Sequence, residues 1–217
     1  MSVFILEEEI TFPPVHLAEK DGLLAIGGDL SPARLLEAYR SGIFPWYEGD
    51  HILWWSPDPR FVLCPQNFRA NKTVSKLIAR DAFEFTVNKD FPAVIHHCKS
   101  VRRQGQEGTW ITEEVERAYT IMHELGYAHS AEVWKEGRLA GGLYGIRMGK
   151  VFFGESMFSL EPNASRYAFT KYFQLLESGG VELIDCQVYT EYLESFGAGF
   201  IPRVEFLERL KDLLLPG

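Results

Sequence analysis

From Tyr127 to Phe158 the chain keeps a hydrophobic period of two, broken only at Lys135-Glu136-Gly137 and Met148-Gly149-Lys150. Period two sends alternate side chains to opposite faces of an extended strand, and breaks this short return the chain antiparallel to itself. The stretch therefore predicts a three-stranded meander, Ala128 to Trp134, Leu139 to Arg147 and Val151 to Phe158, against which the rest of the chain must pack.

Helical patterns flank the meander. Before it, Thr112 caps a helix with Glu113 and Glu114 in its first turn, a stop at Gly126, and Ala118, Ile121, Met122 and Leu125 as the face expected to be buried. After it, Asn163 is placed to cap a helix from about Ala164 that Gly179-Gly180 closes. A strand from Leu183 to Val188, a short helix from Thr190 to Phe196, and a last strand and helix from Phe200 onward follow. Nearer the N-terminus, Ser31-Pro32 starts a short helix that Gly42 ends, Phe61 to Leu63 and Phe83 to Val87 read as strands, and Phe91 to Cys98 reads as a helix. Helix, meander, helix, strand, helix, strand in this order predicts an α+β fold with an acyltransferase-like domain.

Turn formers and large aromatics crowd the segment from Gly27 to Arg60, where Trp46, Trp54 and Trp55 lie. Proline-rich loops restrict the backbone there, and a rigid aromatic wall suits a flat ligand such as a base. The same tryptophans serve equally well as the core of a small N-terminal domain.

At 217 residues the chain can bury a substantial core. Its net charge of −8 argues against non-specific coating of nucleic acid, which needs many Lys and Arg contacts to phosphate. A local basic patch is compatible with that balance. Lys72, Lys76 and Arg80 recur every four residues on one face of a helix, with Arg69 extending the row, and this is either a phosphate-binding patch or a solvated helix face. Lys99, Arg102 and Arg103 form a second cluster beside a loop at 104–108. Acids at Glu7-Glu8-Glu9 and the lack of any apolar run near 20 residues lead to the expectation of a cytoplasmic protein without a membrane partner. Cys64, Cys98 and Cys186 are widely spaced and read as reduced thiols.

Two places put polar groups into apolar strands. Simple alternation projects Asp185 and Gln187 to one face and Ile184, Cys186 and Val188 to the other, and Glu155 sits among aromatics beside Gly154. Buried polar groups need partners, so these residues form either a satisfied structural network or a site. The six histidines make no metal-binding helix motif, and neither a phosphate loop, a dinucleotide fingerprint nor a nucleophile elbow occurs. Ser159 to Asn163, before the Ala164 helix, lacks the glycine-rich turn that holds a coenzyme A pyrophosphate, which implies another acyl donor.

Eight blocks then carry a resemblance: Gly22 to Pro32, Gly42-Ile43-Phe44-Pro45-Trp46, Ile52 to Arg60, Gly108 to Thr112, Gly141-Gly142-Leu143-Tyr144-Gly145, Phe153 to Ser159, Asn163-Ala164-Ser165 and Leu183 to Val188. In content and order the chain resembles the leucyl/phenylalanyl-tRNA-protein transferases. The resemblance implies a small N-terminal α/β domain, residues 1–62, and a larger acetyltransferase-like (GNAT-like) domain, residues 63–217, in an enzyme that needs neither cofactor nor metal. It implies transfer of Leu, Phe or, less readily, Met from aminoacyl-tRNA to the α-amine of proteins beginning with Arg or Lys, marking them for the N-end rule pathway. A monomer is expected. Trp46 and Trp110 would embrace the 3′-terminal adenosine, with Tyr39 and Tyr119 nearby. Leu143, Phe152, Met157 and Ile184 would line the amino-acid side-chain pocket, and Glu155, Asp185 and Gln187 would hold the reacting amines. Lys72, Lys76 and Arg80 match the tRNA-contacting region, although Ser75 and Ala79 stand where further positive charge is expected. A cell-wall peptidyl transfer enzyme, a non-catalytic binder of peptide ends and a coenzyme A acetyltransferase are the competing readings.

Overall fold

In the computed structural model, which describes residues 3–100 and 110–215, the N-terminal part forms a four-stranded sheet. Strand β1 (Phe4–Leu6) pairs in parallel with β2 (Leu23–Gly27), and α1 (Pro32–Arg40) follows. Strands β3 (Phe44–Pro45) and β4 (Leu53–Trp55) complete the order β1-β2-β4-β3. The Ser31 hydroxyl accepts the Arg34 N–H at the start of α1, and Gly42 turns the chain with a φ of 72° that few residues besides glycine adopt.

The remaining elements are β5 (Arg60–Leu63), α2 (Lys72–Ala79), β6 (Glu84–Val87), α3 (Phe91–Ser100), α4 (Glu113–Glu124), β7 (Ala128–Lys135), β8 (Arg138–Met148), β9 (Val151–Ser159), α5 (Ala164–Ser178), β10 (Leu183–Gln187), α6 (Glu191–Glu194), β11 (Gly199–Ile201) and α7 (Arg203–Leu213). Seven of the strands join in the order β11-β5-β10-β9-β8-β7-β6. The meander forms as expected, with Ala131 opposite Leu143 and Leu143 opposite Met157.

Both faces of this sheet are covered. One carries a cluster in which Leu24, Trp54, Val94, Tyr119 and Phe153 pack together, so the N-terminal sheet and the large sheet share one core. On the other, Tyr167, Phe173 and Leu176 of α5 pack on Phe152 and Ile184. The boundary expected between residues 62 and 63 falls inside β5, which pairs with β10 and β11 in the large sheet. Only glycine fits at Gly145, because a Cβ there would strike the Phe153 carbonyl and the Phe152 ring.

Two local expectations need correction. Ile121 and Leu125 are 39% and 55% exposed, because α4 turns Val115, Ala118, Tyr119 and Met122 inward, a stripe offset from the one expected. Asn163 occupies the cap position of α5 in a left-handed conformation without a capping bond, and the Ser159 hydroxyl accepts the Ser165 N–H instead. The three tryptophans part company: Trp54 is core, with its Nε1–H donated to the Gly27 carbonyl, while Trp46 is 37% exposed. All three cysteines are buried, and none of them is in a disulfide. Among the described residues no helix is long and apolar enough to cross a membrane.

Candidate active site

Parallel strands β9 and β10 pair only from Val151–Leu183 to Phe153–Asp185 and then separate. A cavity of about 620 Å³ opens where they part, within the range of small-ligand sites. Residues 154–159 of β9 form one wall, and Asp185, Cys186 and Gln187 with the following Val188-Tyr189-Thr190 form another. Phe44, Pro45, Trp46 and Trp110 close a third side, and Ser165 and Phe169 of α5 with Tyr192 and Leu193 complete the lining.

Asp185 is wholly buried, and Arg60 is its counterion. Arg60 Nε donates to Asp185 Oδ1 at 2.8 Å and Nη2 donates to Oδ2 at 2.7 Å, while the guanidinium lies 4.7 Å from the rings of both Phe44 and Phe206. The remaining capacity of Oδ1 takes the backbone N–H of Gln187 at 2.9 Å. That bond holds Gln187 at a φ of 63°, unusual for a non-glycine residue, where the pairing of β10 with β5 shifts register. Simple alternation of Asp185 and Gln187 on one face is therefore broken by a bulge. Asp185 holds the backbone of Gln187, and the Gln187 side chain reaches elsewhere.

Gln187 Nε2 donates to Glu155 Oε1 at 2.9 Å. An ionised carboxylate only accepts, so this bond fixes the amide with its carbonyl oxygen as the end left for a ligand. Tyr39 donates to Glu155 Oε1 at 2.8 Å, Tyr119 donates to Oε2 at 3.1 Å, and the two hydroxyls meet at 2.5 Å. Burial pushes the Glu155 carboxyl up to about 7, with the nearby Asp185 charge adding to the rise against the hydrogen bonds from Tyr39, Tyr119 and Gln187 that lower it. Burial and the Glu155 charge likewise push both phenols well above their ordinary range.

Leu143, Phe152, Met157 and Ile184 all line the cavity, as do Trp46 and Trp110. Trp55 supports Trp46 by donating its Nε1–H to the Trp46 carbonyl. Tyr39 and Tyr119 are fully buried behind Glu155. Phe169 and Cys186 are lining residues that the sequence reading missed. Phe169 could have been found from its four-residue spacing after Ser165 on α5; Cys186 could not, because alternation assigned it to the opposite face from Asp185 and Gln187.

Lys72 and Lys76 project from α2 and Arg80 follows at its end, all exposed. Lys99 pairs with Glu116 at 3.0 Å, and Arg102, Arg103 and the loop at 104–108 lie outside the described residues. No group of three or more His, Cys, Asp or Glu residues forms a candidate metal site among the described residues.

A family model described as leucyl/phenylalanyl-tRNA protein transferase matches residues 62–211, and one described as the N-terminal domain of the same enzyme matches residues 28–58. The leucyl/phenylalanyl-tRNA–protein transferase of Syntrophus aciditrophicus is 54% identical over 215 residues, covering 99% of this chain and 90% of that protein. Its counterpart in Christiangramia forsetii is 52% identical, covering 96% of this chain and 100% of that protein. Among solved structures, a functionally unknown conserved protein from Staphylococcus epidermidis superimposes at a TM-score of 0.46 with 9% identity, over 83% of this chain and 68% of that chain.

Proposed function

The chain belongs to the leucyl/phenylalanyl-tRNA protein transferase family and is an aminoacyltransferase; from that premise we propose that it moves Leu or Phe, and less readily Met, from aminoacyl-tRNA to the α-amine of proteins beginning with Arg or Lys. The products enter the N-end rule degradation pathway in the cytoplasm, and the larger part of the chain is an acetyltransferase-like domain working as a monomer. The observation that carries this reading is Gln187, tied by its Nε2 to Glu155 and by its backbone to Asp185, at the edge of an apolar pocket with tryptophans at its side.

Trp46 and Trp110 offer ring faces to the 3′-terminal adenosine of the donor. Leu143, Phe152, Met157 and Ile184 surround its unbranched-at-β apolar side chain, with Phe169 and Cys186 extending the lining. The ester is already activated, and an α-amine with a pKa near 8 is roughly one tenth free base at pH 7. Positioning therefore supplies most of the acceleration, and well-oriented reactants gain about 7–11 kcal/mol of barrier reduction. The Gln187 carbonyl oxygen accepts a hydrogen bond from the attacking amine and aims its lone pair at the ester carbon. As the C–N bond forms, the amine becomes cationic, and the Asp185 and Glu155 carboxyls favour that charge. Glu155, titrating near neutrality, is matched to take the released proton. The ester C–O bond then breaks, and the proton lost by the amine ends on the departing 3′-terminal ribose oxygen, restoring the tRNA hydroxyl.

Purified protein mixed with radiolabelled leucyl-tRNA and two peptides, one beginning with Arg and one with Ala, tests this reading. Label on the Arg peptide alone is the expected result; no transfer from an intact donor would sink it.

A further inference from the structure

An exposed aromatic step adjoins the cavity. Val188, Tyr189 and Thr190 line it immediately after Gln187, and Tyr189 is 45% exposed. Phe200 on β11, at the edge of the large sheet, is 54% exposed. Its ring lies 6.0 Å from that of Tyr189 at an interplanar angle of 20°, and 4.9 Å from the buried ring of Phe61 beneath. Single exposed aromatics are ordinary, but a stacked pair at the mouth of a reaction cavity is a continuous apolar surface in the path of anything entering.

Strand register gives the distance. Phe61 of β5 pairs with Gln187 on one side and with Phe200 on the other. Two strand spacings of roughly 4.8 Å put the Phe200 backbone about 10 Å from that of Gln187, which an extended polypeptide crosses in about three residues.

Charge selects the kind of polymer. Glu191 and Glu194 are exposed on α6 next to the step, and the Tyr189 hydroxyl donates to Glu194 at 2.8 Å. The neighbouring Arg166 lies over the Tyr192 and Phe196 rings and donates to the Ser195 hydroxyl. An acidic rim beside exposed rings repels a phosphate backbone and complements a basic polypeptide end.

We propose that Tyr189 and Phe200 form the docking shelf for the acceptor polypeptide, receiving in extended form about the third and fourth residues behind the attacking amine. The inference rests on the reading of the chain as a transferase acting on N-terminal Arg or Lys. It makes acceptor recognition depend on the chain behind the first residue, with apolar residues favoured at the shelf.

The test compares arginine amide with an eight-residue Arg-initiated peptide carrying apolar residues at positions three and four. In Phe200→Ala the KM for the long peptide is expected to rise about five- to tenfold. The KM values for arginine amide and leucyl-tRNA are expected to stay within about twofold, and Phe200→Tyr is expected to restore the long-peptide value. Glu194→Gln provides an independent variant with a smaller rise for the long peptide, so the test survives if Phe200→Ala misfolds. An unchanged long-peptide KM, an equal rise for arginine amide, or a rise confined to leucyl-tRNA would overturn the shelf. A wild-type protein that labels neither acceptor would overturn the transfer reading and the shelf with it, a result distinct from variants that match an active wild type.

Discussion

Arg60 and Asp185, far apart in the chain, meet in a two-point ion pair from which solvent is excluded. Arg60 is also clasped by Phe44, the first residue of the strand that leads to Trp46, and by Phe206 of α7. One guanidinium thus links the edge carrying Trp46 to the carboxylate that holds Gln187. Asp185 has both oxygens committed, to Arg60 and to the Gln187 N–H, which suits it to a positioning role.

Removing Arg60 leaves a buried, unpaired carboxylate. Arg60→Met is expected to lower unfolding stability by about 3–5 kcal/mol. Adding Asp185→Asn removes the stranded charge and is expected to recover most of that loss in urea unfolding curves. Transfer activity should stay impaired in the double variant, because the strong acceptor holding the Gln187 N–H is gone. Recovery of both properties together would contradict the positioning role.

Gln187→Ala removes the side-chain acceptor but leaves the bulge and the aromatic wall in place. Single-turnover transfer is expected to slow by about 10²–10³-fold, the loss seen when one preorganised polar group at a reaction centre is deleted. The Kd for leucyl-tRNA should change less than twofold. A matched loss of tRNA affinity would instead make Gln187 a donor-binding residue.

The meander and the α1 and α4 caps were legible because they depend on neighbours in sequence: the period of Ala128 to Phe158, Ser31 before Pro32, and Thr112 before two glutamates. The strands of the N-terminal sheet are too short to establish a period, and β3 has only two residues. Site residues divide the same way. Asp185, Gln187 and Glu155 stood out as polar groups in apolar strands, but nothing local identifies Arg60 as the partner of Asp185 or puts Tyr39 and Tyr119 on one carboxylate. The bulge at Gln187 is equally silent, since glutamine is not a residue that announces a left-handed backbone.

Pocket volume should govern the donor side chain. Leu143 is buried and contributes to the lining, so Leu143→Ala enlarges the pocket. Competition between leucyl-tRNA and phenylalanyl-tRNA is expected to shift about tenfold toward phenylalanyl, at a stability loss of about 2–5 kcal/mol. An unchanged ratio would exclude Leu143 from contact with the donor side chain.

Glu155 should leave a signature in both stability and rate. Its carboxyl is raised from 4.5 to about 7 by folding, so between these values the native state binds more protons than the unfolded state. Stability attributable to this group is full below about 4.5 and is lost as pH rises through 7, by about 3 kcal/mol or roughly 6–12 °C in Tm for a chain of this size. Glu155→Gln is expected to flatten that part of the Tm profile. In kcat/KM, the wild type should show an ionisation near 7 besides that of the acceptor amine near 8, and the variant only the latter. Identical profiles would remove Glu155 from the proton path.

Lys72 and Lys76 stand one helical turn apart on the exposed face of α2, on a protein whose net charge is −8. A negatively charged protein holds tRNA only where positive charge is concentrated, and each phosphate contact releases counterions. If these lysines touch the backbone, Lys72→Ala/Lys76→Ala should reduce the slope of log K against log salt by about two, one for each contact. The loss in affinity should be similar for leucyl- and phenylalanyl-tRNA, because phosphate contacts do not read the amino acid. Transfer from a minimal aminoacyl-adenosine donor, which lacks the tRNA body, should be unaffected. An unchanged salt slope would make this row an ordinary solvated helix face and place the tRNA contacts elsewhere.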